Sequence, residues 1–118
     1  MQTKITLIYD NPVDADAFED AFPEQLAAAR TVPGVRNVEA SKVWPKEDGS
    51  PTPAHRLLDL YFDDYDAASA AVQTDEAARL FESVSKRATG GVRIVFAAVE
   101  GRSDLTQEAD LLAAGSAR

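Results

Sequence analysis

The 118-residue sequence predicts a single α+β domain with elements in the order strand, helix, strand, strand, helix, strand. Residues 54–72 (AHRLLDLYFDDYDAASAAV) alternate in character and then pass through paired aspartates into an alanine-rich stretch, which is typical of a strand leading into a helix. Residues 3–9 (TKITLIY) and 92–99 (VRIVFAAV) are apolar runs bounded by turn residues, which predicts strands near both ends. This order is that of the ferredoxin-like βαββαβ arrangement, a four-stranded antiparallel sheet with helices on one face.

The first helix is predicted from residue 16 to about residue 31. Asp16 and Glu19 have the spacing of a capping box, which puts the start of the helix there. Pro23 removes one amide donor, so we expect a kink or a restart of the helix at that point. Apolar residues recur at helical spacing, and Gln25 lies on the same face. A polar amide on an apolar helix face needs a partner, which makes Gln25 a candidate site residue.

The middle of the chain supplies the second strand and a long connection. Residues 35–44 alternate well enough for a strand that would end at Trp44. Residues 45–53 include three prolines, which predicts a long loop and a candidate lid or partner contact. After the third strand, Thr74 resembles a new N-cap, so we expect the second helical region to pause near residue 73 and restart.

The third strand is predicted to be central because it is apolar on both faces. His55, Leu57, Asp59 and Tyr61 fall on one face by alternation, whereas Arg56 begins the other. A buried carboxylate at residue 59 requires a cationic partner. The candidates on neighbouring strands are Lys4, Lys42 and Arg93.

Composition narrows the range of functions. Cysteine is absent, so disulfides, thiolate nucleophiles and cysteine metal sites are ruled out. The net charge of −8 disfavours binding to nucleic acid or to a membrane surface. Neither a membrane span nor a signal peptide is recognisable, so we expect a cytoplasmic protein. One histidine and scattered carboxylates predict no metal site, and without a glycine-rich phosphate loop we expect no cofactor.

A sheet covered by helices on one side leaves its other face bare. Half of the residues on that face are apolar, including Leu57, Tyr61 and Trp44. A bare face of this kind exceeds the few hundred Å² that soluble monomers usually expose. We therefore expect a homodimer that forms through this face of the sheet.

Four short stretches make the chain resemble the EthD family, named for ethyl tert-butyl ether degradation, within the dimeric α/β-barrel group. They are residues 8–12 (IYDNP), 32–35 (VPGV), 60–63 (LYFD) and 90–92 (GGV). The resemblance covers about residues 1–101, and residues 102–118 form a C-terminal extension with a predicted short helix and a frayed end. It implies a homodimer whose sheets form a barrel, with a pocket for a small hydrophobic or aromatic compound between sheet and helices. In related folds it also implies monooxygenase, lyase or isomerase chemistry without a bound metal.

The first helix departs from the family pattern at one position. Many members carry a histidine there, followed two residues later by proline, whereas this chain has Gln25, Leu26 and Ala27. Glutamine can polarise a carbonyl but cannot take up a proton near neutral pH. Two functions stay open: a binding dimer accessory to a catabolic or biosynthetic pathway, or a cofactor-independent monooxygenase, lyase or isomerase.

The candidate site residues follow from these patterns. Gln25 and His55 are the candidates for catalysis, and His55 is the only histidine that could act as a general base. An ordinary strand or interface role for His55 is the more common alternative. Tyr9 and Tyr61 could donate hydrogen bonds to a ligand oxygen, although buried tyrosines often only pack. The predicted pocket residues are Tyr9, Phe18, Phe22, Gln25, Trp44 and Tyr61.

Overall fold

A computed structural model describes residues 1–103, and they form the predicted four-stranded antiparallel sheet with helices on one face. The strands are β1 (Thr3–Tyr9), β2 (Asn37–Lys42), β3 (Arg56–Phe62) and β4 (Val92–Ala98), in the spatial order β2-β3-β1-β4. The helices are α1 (Ala15–Arg30), α2 (Tyr65–Ala71) and α3 (Asp75–Arg87). The predicted fold class is confirmed. The helix predicted in the C-terminal extension falls within residues 104–118, outside the described residues.

The core lies between the sheet and the helices. The register of β1 and β3 pairs Ile5 with Leu60 and Leu7 with Leu58, and all four side chains are buried on the helix side. This follows from alternation, because odd-numbered residues of β1 and even-numbered residues of β3 share that side. The helices contribute Phe18, Phe22, Ala29, Ala68, Ala71, Leu80 and Val84. Within residues 1–103, no helix is long and apolar enough to cross a membrane.

The start of α1 differs from the prediction. Asp14, not Asp16, is the N-cap, and its Oδ1 accepts a hydrogen bond from the backbone N–H of Ala17 at 3.1 Å. Asp16 lies in the first turn, where a negative charge is also favourable. The predicted restart at Pro23 is wrong, because α1 continues from Ala15 to Arg30. Proline removes only one amide donor, and the buried face on both sides of Pro23 keeps the helix continuous.

The other helix boundaries follow the predictions. The side chain of Asp64 caps α2, and the side chain of Thr74 caps α3 by accepting a hydrogen bond from Ala77 N–H at 3.2 Å. The pause near residue 73 is therefore confirmed. β2 is shorter than predicted, since it ends at Lys42, so Trp44 lies beyond the strand.

The sheet face opposite the helices is more polar than predicted. Asp59 is buried there, with Lys4 Nζ 3.7 Å from its Oδ1 and the Thr6 hydroxyl donating to the same oxygen. The expected pairing of Asp59 is thus confirmed, with Lys4 as the partner. Tyr61 is covered by the cationic groups of Lys4 and Arg102, which lie 5.9 and 5.5 Å from its ring centre. Three consecutive apolar residues of the edge strand β4, Ile94, Val95 and Phe96, are also exposed.

Candidate functional site

A buried hydrogen bond between Tyr9 and Gln25 lies at the centre of the candidate site. Tyr9 is the last residue of β1, and Gln25 lies on the buried face of α1. Both side chains are fully buried, and the Tyr9 hydroxyl donates to Gln25 Oε1 at 2.7 Å. Burial raises the pKa of Tyr9 far above its ordinary value. The phenol therefore stays protonated near neutral pH and serves as a donor.

The amide nitrogen of Gln25 has no hydrogen-bond partner among the described residues. A primary amide carries two N–H donors, and leaving such a group buried and unpaired costs about 1–3 kcal/mol. Tyr9 holds the oxygen end of the amide, so the direction of the nitrogen is also fixed. The site can offer this nitrogen to an acceptor atom of a ligand.

Two aromatic rings lie on the same face of α1 as this amide and pack against Tyr9. Phe18, Phe22 and Gln25 share one face of α1 because they are spaced four and three residues apart. The Tyr9 ring meets Phe18 and Phe22 edge-on, with ring centres 5.1 and 6.0 Å apart, and the two phenylalanines stack at 5.8 Å. These three rings form an aromatic wall that suits a flat apolar molecule.

A charged cluster lies beside the aromatic wall. Glu19 of α1 accepts two hydrogen bonds from Arg56, at 2.7 and 3.0 Å, and Lys42 Nζ lies 3.2 Å away. The bond from Arg56 is the main reason that the pKa of Glu19 falls to about 2, although partial burial opposes the shift. The Arg56 guanidinium also lies 4.4 Å from the centre of the Phe22 ring. An ionised Glu19 therefore holds Arg56 across the aromatic wall.

His55 belongs to this cluster, and its predicted sheet face is wrong. Its ring meets Phe18 edge-on at 5.2 Å, and its Nε2 lies 3.4 Å from Glu19 Oε2 without hydrogen-bond geometry. His55 precedes β3, which begins at Arg56, so strand alternation does not set its direction. Its imidazole reaches α1 instead of lying beside Tyr61.

The other two predicted pocket residues lie elsewhere. Trp44 is 87% exposed and lines a separate concavity of about 250 Å³ with Lys42, Val43 and Pro45. Tyr61 is buried on the opposite face of the sheet. The structure brings the remaining four pocket residues together with His55. These five residues form the buried cluster: Tyr9, Phe18, Phe22, Gln25 and His55.

Two members of the charged cluster, Glu19 and Arg56, were not predicted as site residues from the sequence. Arg56 is the one charged residue on the helix-facing side of β3, whose other members there are Leu58, Leu60 and Phe62. A charge at such a position needs a partner. This signal indicates a carboxylate on the helix above Arg56, and Glu19 is that carboxylate.

Five surface concavities of about 220–290 Å³ occur on the described residues, and Gln25 lines none of them. One touches the aromatic wall. This α1–α3 groove, of about 220 Å³, lies between the start of α1 and the end of α3. Its lining residues are Val13, Asp14, Ala17, Phe18, Lys86, Arg87 and Thr89. Phe18 is thus the residue that the groove shares with the buried cluster.

The chain resembles known proteins in sequence and in fold. No family model matches the chain. A relative described as an uncharacterized 11.0 kDa protein in the thcB-thcC intergenic region of Rhodococcus erythropolis is 29% identical over 94 residues, which are 79% of this chain and 90% of the relative. An EthD family protein from Bacillus halodurans has a TM-score of 0.75 and 22% identity, covering 83% of this chain and 98% of that one.

Two further solved structures share the fold. A dimeric ferredoxin-like protein of unknown function from Jannaschia has a TM-score of 0.65 and 16% identity, covering 84% of this chain and 100% of its own. SnoaB from Streptomyces nogalater, described as a cofactor-independent oxygenase, has a TM-score of 0.60 and 12% identity, covering 87% and 96%. The comparisons thus confirm the predicted resemblance to the EthD family at the level of a ferredoxin-like fold.

Proposed function

We propose that this protein is a homodimer that binds a small hydrophobic or aromatic organic compound between the sheet and α1. The observation that carries the proposal is the buried amide nitrogen of Gln25, which has no hydrogen-bond partner within residues 1–103. A compound with one oxygen acceptor would satisfy this donor, while its apolar part would contact the aromatic wall. The proposal includes a role accessory to a catabolic or biosynthetic pathway, and the relative from Rhodococcus erythropolis supports it only by being encoded between two other genes, thcB and thcC.

The surrounding charges favour a neutral ligand. Glu19 compensates the charge of Arg56, with which it shares two hydrogen bonds, and the second cation, Lys42, is 60% exposed to solvent, which screens its charge. The net charge of −8 adds a long-range field that repels anions. The Tyr9 hydroxyl already donates its one proton to Gln25 Oε1, so the amide nitrogen of Gln25 is the donor that faces a ligand, and the matching ligand group is an acceptor. A carbonyl or hydroxyl oxygen on an aromatic ring meets these requirements.

The binding test compares acetophenone with ethylbenzene, which lacks the carbonyl oxygen. Calorimetry should show that the protein prefers acetophenone. Gln25→Leu should weaken acetophenone binding by about tenfold, equivalent to ~1.4 kcal/mol, because the donor is removed. The same substitution should leave ethylbenzene binding unchanged. If Gln25→Leu bound acetophenone as tightly as the wild type, Gln25 would not be the ligand-binding residue.

The dimer proposal rests on β4. Ile94, Val95 and Phe96 are between 39% and 45% exposed on this edge strand. An exposed apolar edge strand favours association with another chain. We expect sedimentation to give twice the chain mass of 12.7 kDa. Val95→Asp should yield a monomer, whereas Val13→Asp, at a more exposed apolar site away from β4, should not. A monomeric wild type would refute the dimer.

A second candidate function is cofactor-independent monooxygenase, lyase or isomerase chemistry. His55 favours it, because this imidazole lies beside the aromatic wall and Glu19. Neither Gln25 nor the protonated Tyr9 can accept a proton near neutral pH, so His55 would be the base. In D₂O, such a base would exchange the methyl protons of bound acetophenone for deuterium, which NMR detects. Exchange no faster than in buffer, or exchange that survives His55→Gln, would exclude this role for His55.

A further inference from the structure

Phe18 separates the buried amide from the solvent-facing groove. It is almost fully buried, and its ring contacts the rings of Tyr9, Phe22 and His55. It also lines the α1–α3 groove, whereas Tyr9, Phe22, Gln25 and His55 line none of these five concavities. A molecule in this groove is therefore divided from the buried cluster by one aromatic side chain.

The backbone around the groove is tied together. The N–H of Val13 donates to Thr89 Oγ1 at 2.9 Å, which joins the entry to α1 with the exit from α3. Gly90 packs closely on the turn between β1 and α1. A Cβ on Gly90 would lie 2.0 Å from the carbonyl oxygen of Asn11 in that turn. These contacts resist separation of the two loops. Rotation of the Phe18 side chain is then the smallest movement that connects the groove with the site.

We propose that the α1–α3 groove is the entrance to the Tyr9–Gln25 site and that Phe18 is its gate. This inference rests on the ligand site proposed above. Val13, Ala17 and Phe18 supply an apolar path for a ring, and the charged groups of Lys86 and Arg87 lie at the same groove. Its volume of about 220 Å³ is below the range of drug-sized pockets. A compound with a single aromatic ring suits a groove of this size.

A gate and a binding contact have different kinetic effects. A gate controls entry as well as exit, so a variant that opens it should raise the association rate constant, which loss of a binding contact alone would leave unchanged. Phe18→Leu should therefore raise the association rate of acetophenone by about tenfold, as measured by NMR line-shape analysis. Its dissociation rate should rise by at least as much, because Phe18 also belongs to the aromatic wall. Phe22→Leu is the matched control, because Phe22 also contacts Tyr9 but does not line the groove. It should leave the association rate unchanged.

A second pair of variants tests the groove without altering the core. Ala17 and Ala27 are both exposed on α1, but only Ala17 lines the groove. Ala17→Trp should lower the association rate of acetophenone by about tenfold, whereas Ala27→Trp should not change it. If acetophenone binds but neither Phe18→Leu nor Ala17→Trp changes its association rate, the entrance is elsewhere and the proposed site survives. If the wild type does not bind acetophenone, both proposals are overturned.

Discussion

The two long helices pack on the same face of the sheet, but their buried faces have different chemistry. The buried side chains of α3 are Ala77, Leu80 and Val84, all of them apolar. Those of α1 include Gln25, whose amide nitrogen is without a partner in the described part of the chain. Apolar burial alone explains the packing of α3, whereas α1 keeps a polar group that lowers stability. This contrast supports the proposal that α3 stabilises the fold and that α1 contacts the ligand.

The largest expected loss of stability comes from a substitution in α3. Leu80→Ala should lower the free energy of unfolding by about 2–5 kcal/mol, because it leaves a cavity under a fully buried side chain. Urea unfolding would measure this loss. The folded variant should retain the preference for acetophenone over ethylbenzene. Loss of that preference without loss of stability would place α3 in the site and remove the contrast between the helices.

The next effect concerns the charged cluster on α1. The folded-state pKa of Glu19 is about 2, below the ordinary value of 4.5. Its ion pairs therefore contribute stability that is fully present above pH 4.5 and is lost as the pH falls from 4.5 toward 2. The side chain is 24% exposed, so solvent screening limits the contribution to about 1–2 kcal/mol. Glu19→Gln should lose this amount at neutral pH and only a small part of it at pH 2, where the carboxyl of Glu19 is about half protonated.

Another carboxylate of α1 provides the control for that experiment. Glu24 is 67% exposed and lies 3.9 Å from Arg87, so this pair is weak. Glu24→Gln should change the free energy of unfolding by less than about 0.5 kcal/mol at any pH. Equal effects of Glu19→Gln and Glu24→Gln would show that the Arg56 hydrogen bonds add nothing to stability.

The smallest expected differences lie at the helix starts, where the two helices should behave alike. Asp14 and Thr74 each accept a hydrogen bond from a backbone N–H in the first turn. Replacing either with alanine should lower the free energy of unfolding by about 1 kcal/mol, because that N–H loses its partner. Thermal unfolding of Asp14→Ala and Thr74→Ala would measure this. Loss of acetophenone preference in Asp14→Ala alone would show that the α1 start also shapes the site.

The sequence was sufficient to predict the fold and the burial of Gln25 on α1. Strand alternation predicted the helix-facing side of β3, and helical spacing predicted that Gln25 is buried on α1. Both are local periodicities, and burial of the apolar residues left little freedom for another arrangement. The cap of α1 was misplaced because Asp14 and Asp16 are chemically equivalent N-caps. Only the contacts of the folded helix distinguish them.

The set of residues that surrounds the candidate site was harder to predict. His55 lies just before β3, where alternation does not hold, so its contact with α1 could not be read from spacing. The Glu19–Arg56 pair joins residues 37 positions apart, and such a pairing depends on how α1 lies across the sheet. Tyr61 was predicted in the pocket because its hydroxyl could donate to a ligand oxygen, and Trp44 because it was predicted to end the second strand. Trp44 lies beyond the end of β2, and Tyr61 lies on the sheet face opposite the helices, so neither residue belongs to the pocket.

The most direct test replaces Gln25 and its hydrogen-bond partner together. The double variant Gln25→Leu with Tyr9→Phe removes the buried hydroxyl and both ends of the amide while nearly keeping their volumes. Its free energy of unfolding should be unchanged or up to about 1 kcal/mol higher, because no polar group is left unpaired. Its affinity for acetophenone should fall to that for ethylbenzene. A variant that loses several kcal/mol of stability yet binds acetophenone like the wild type would contradict a ligand-binding role for Gln25.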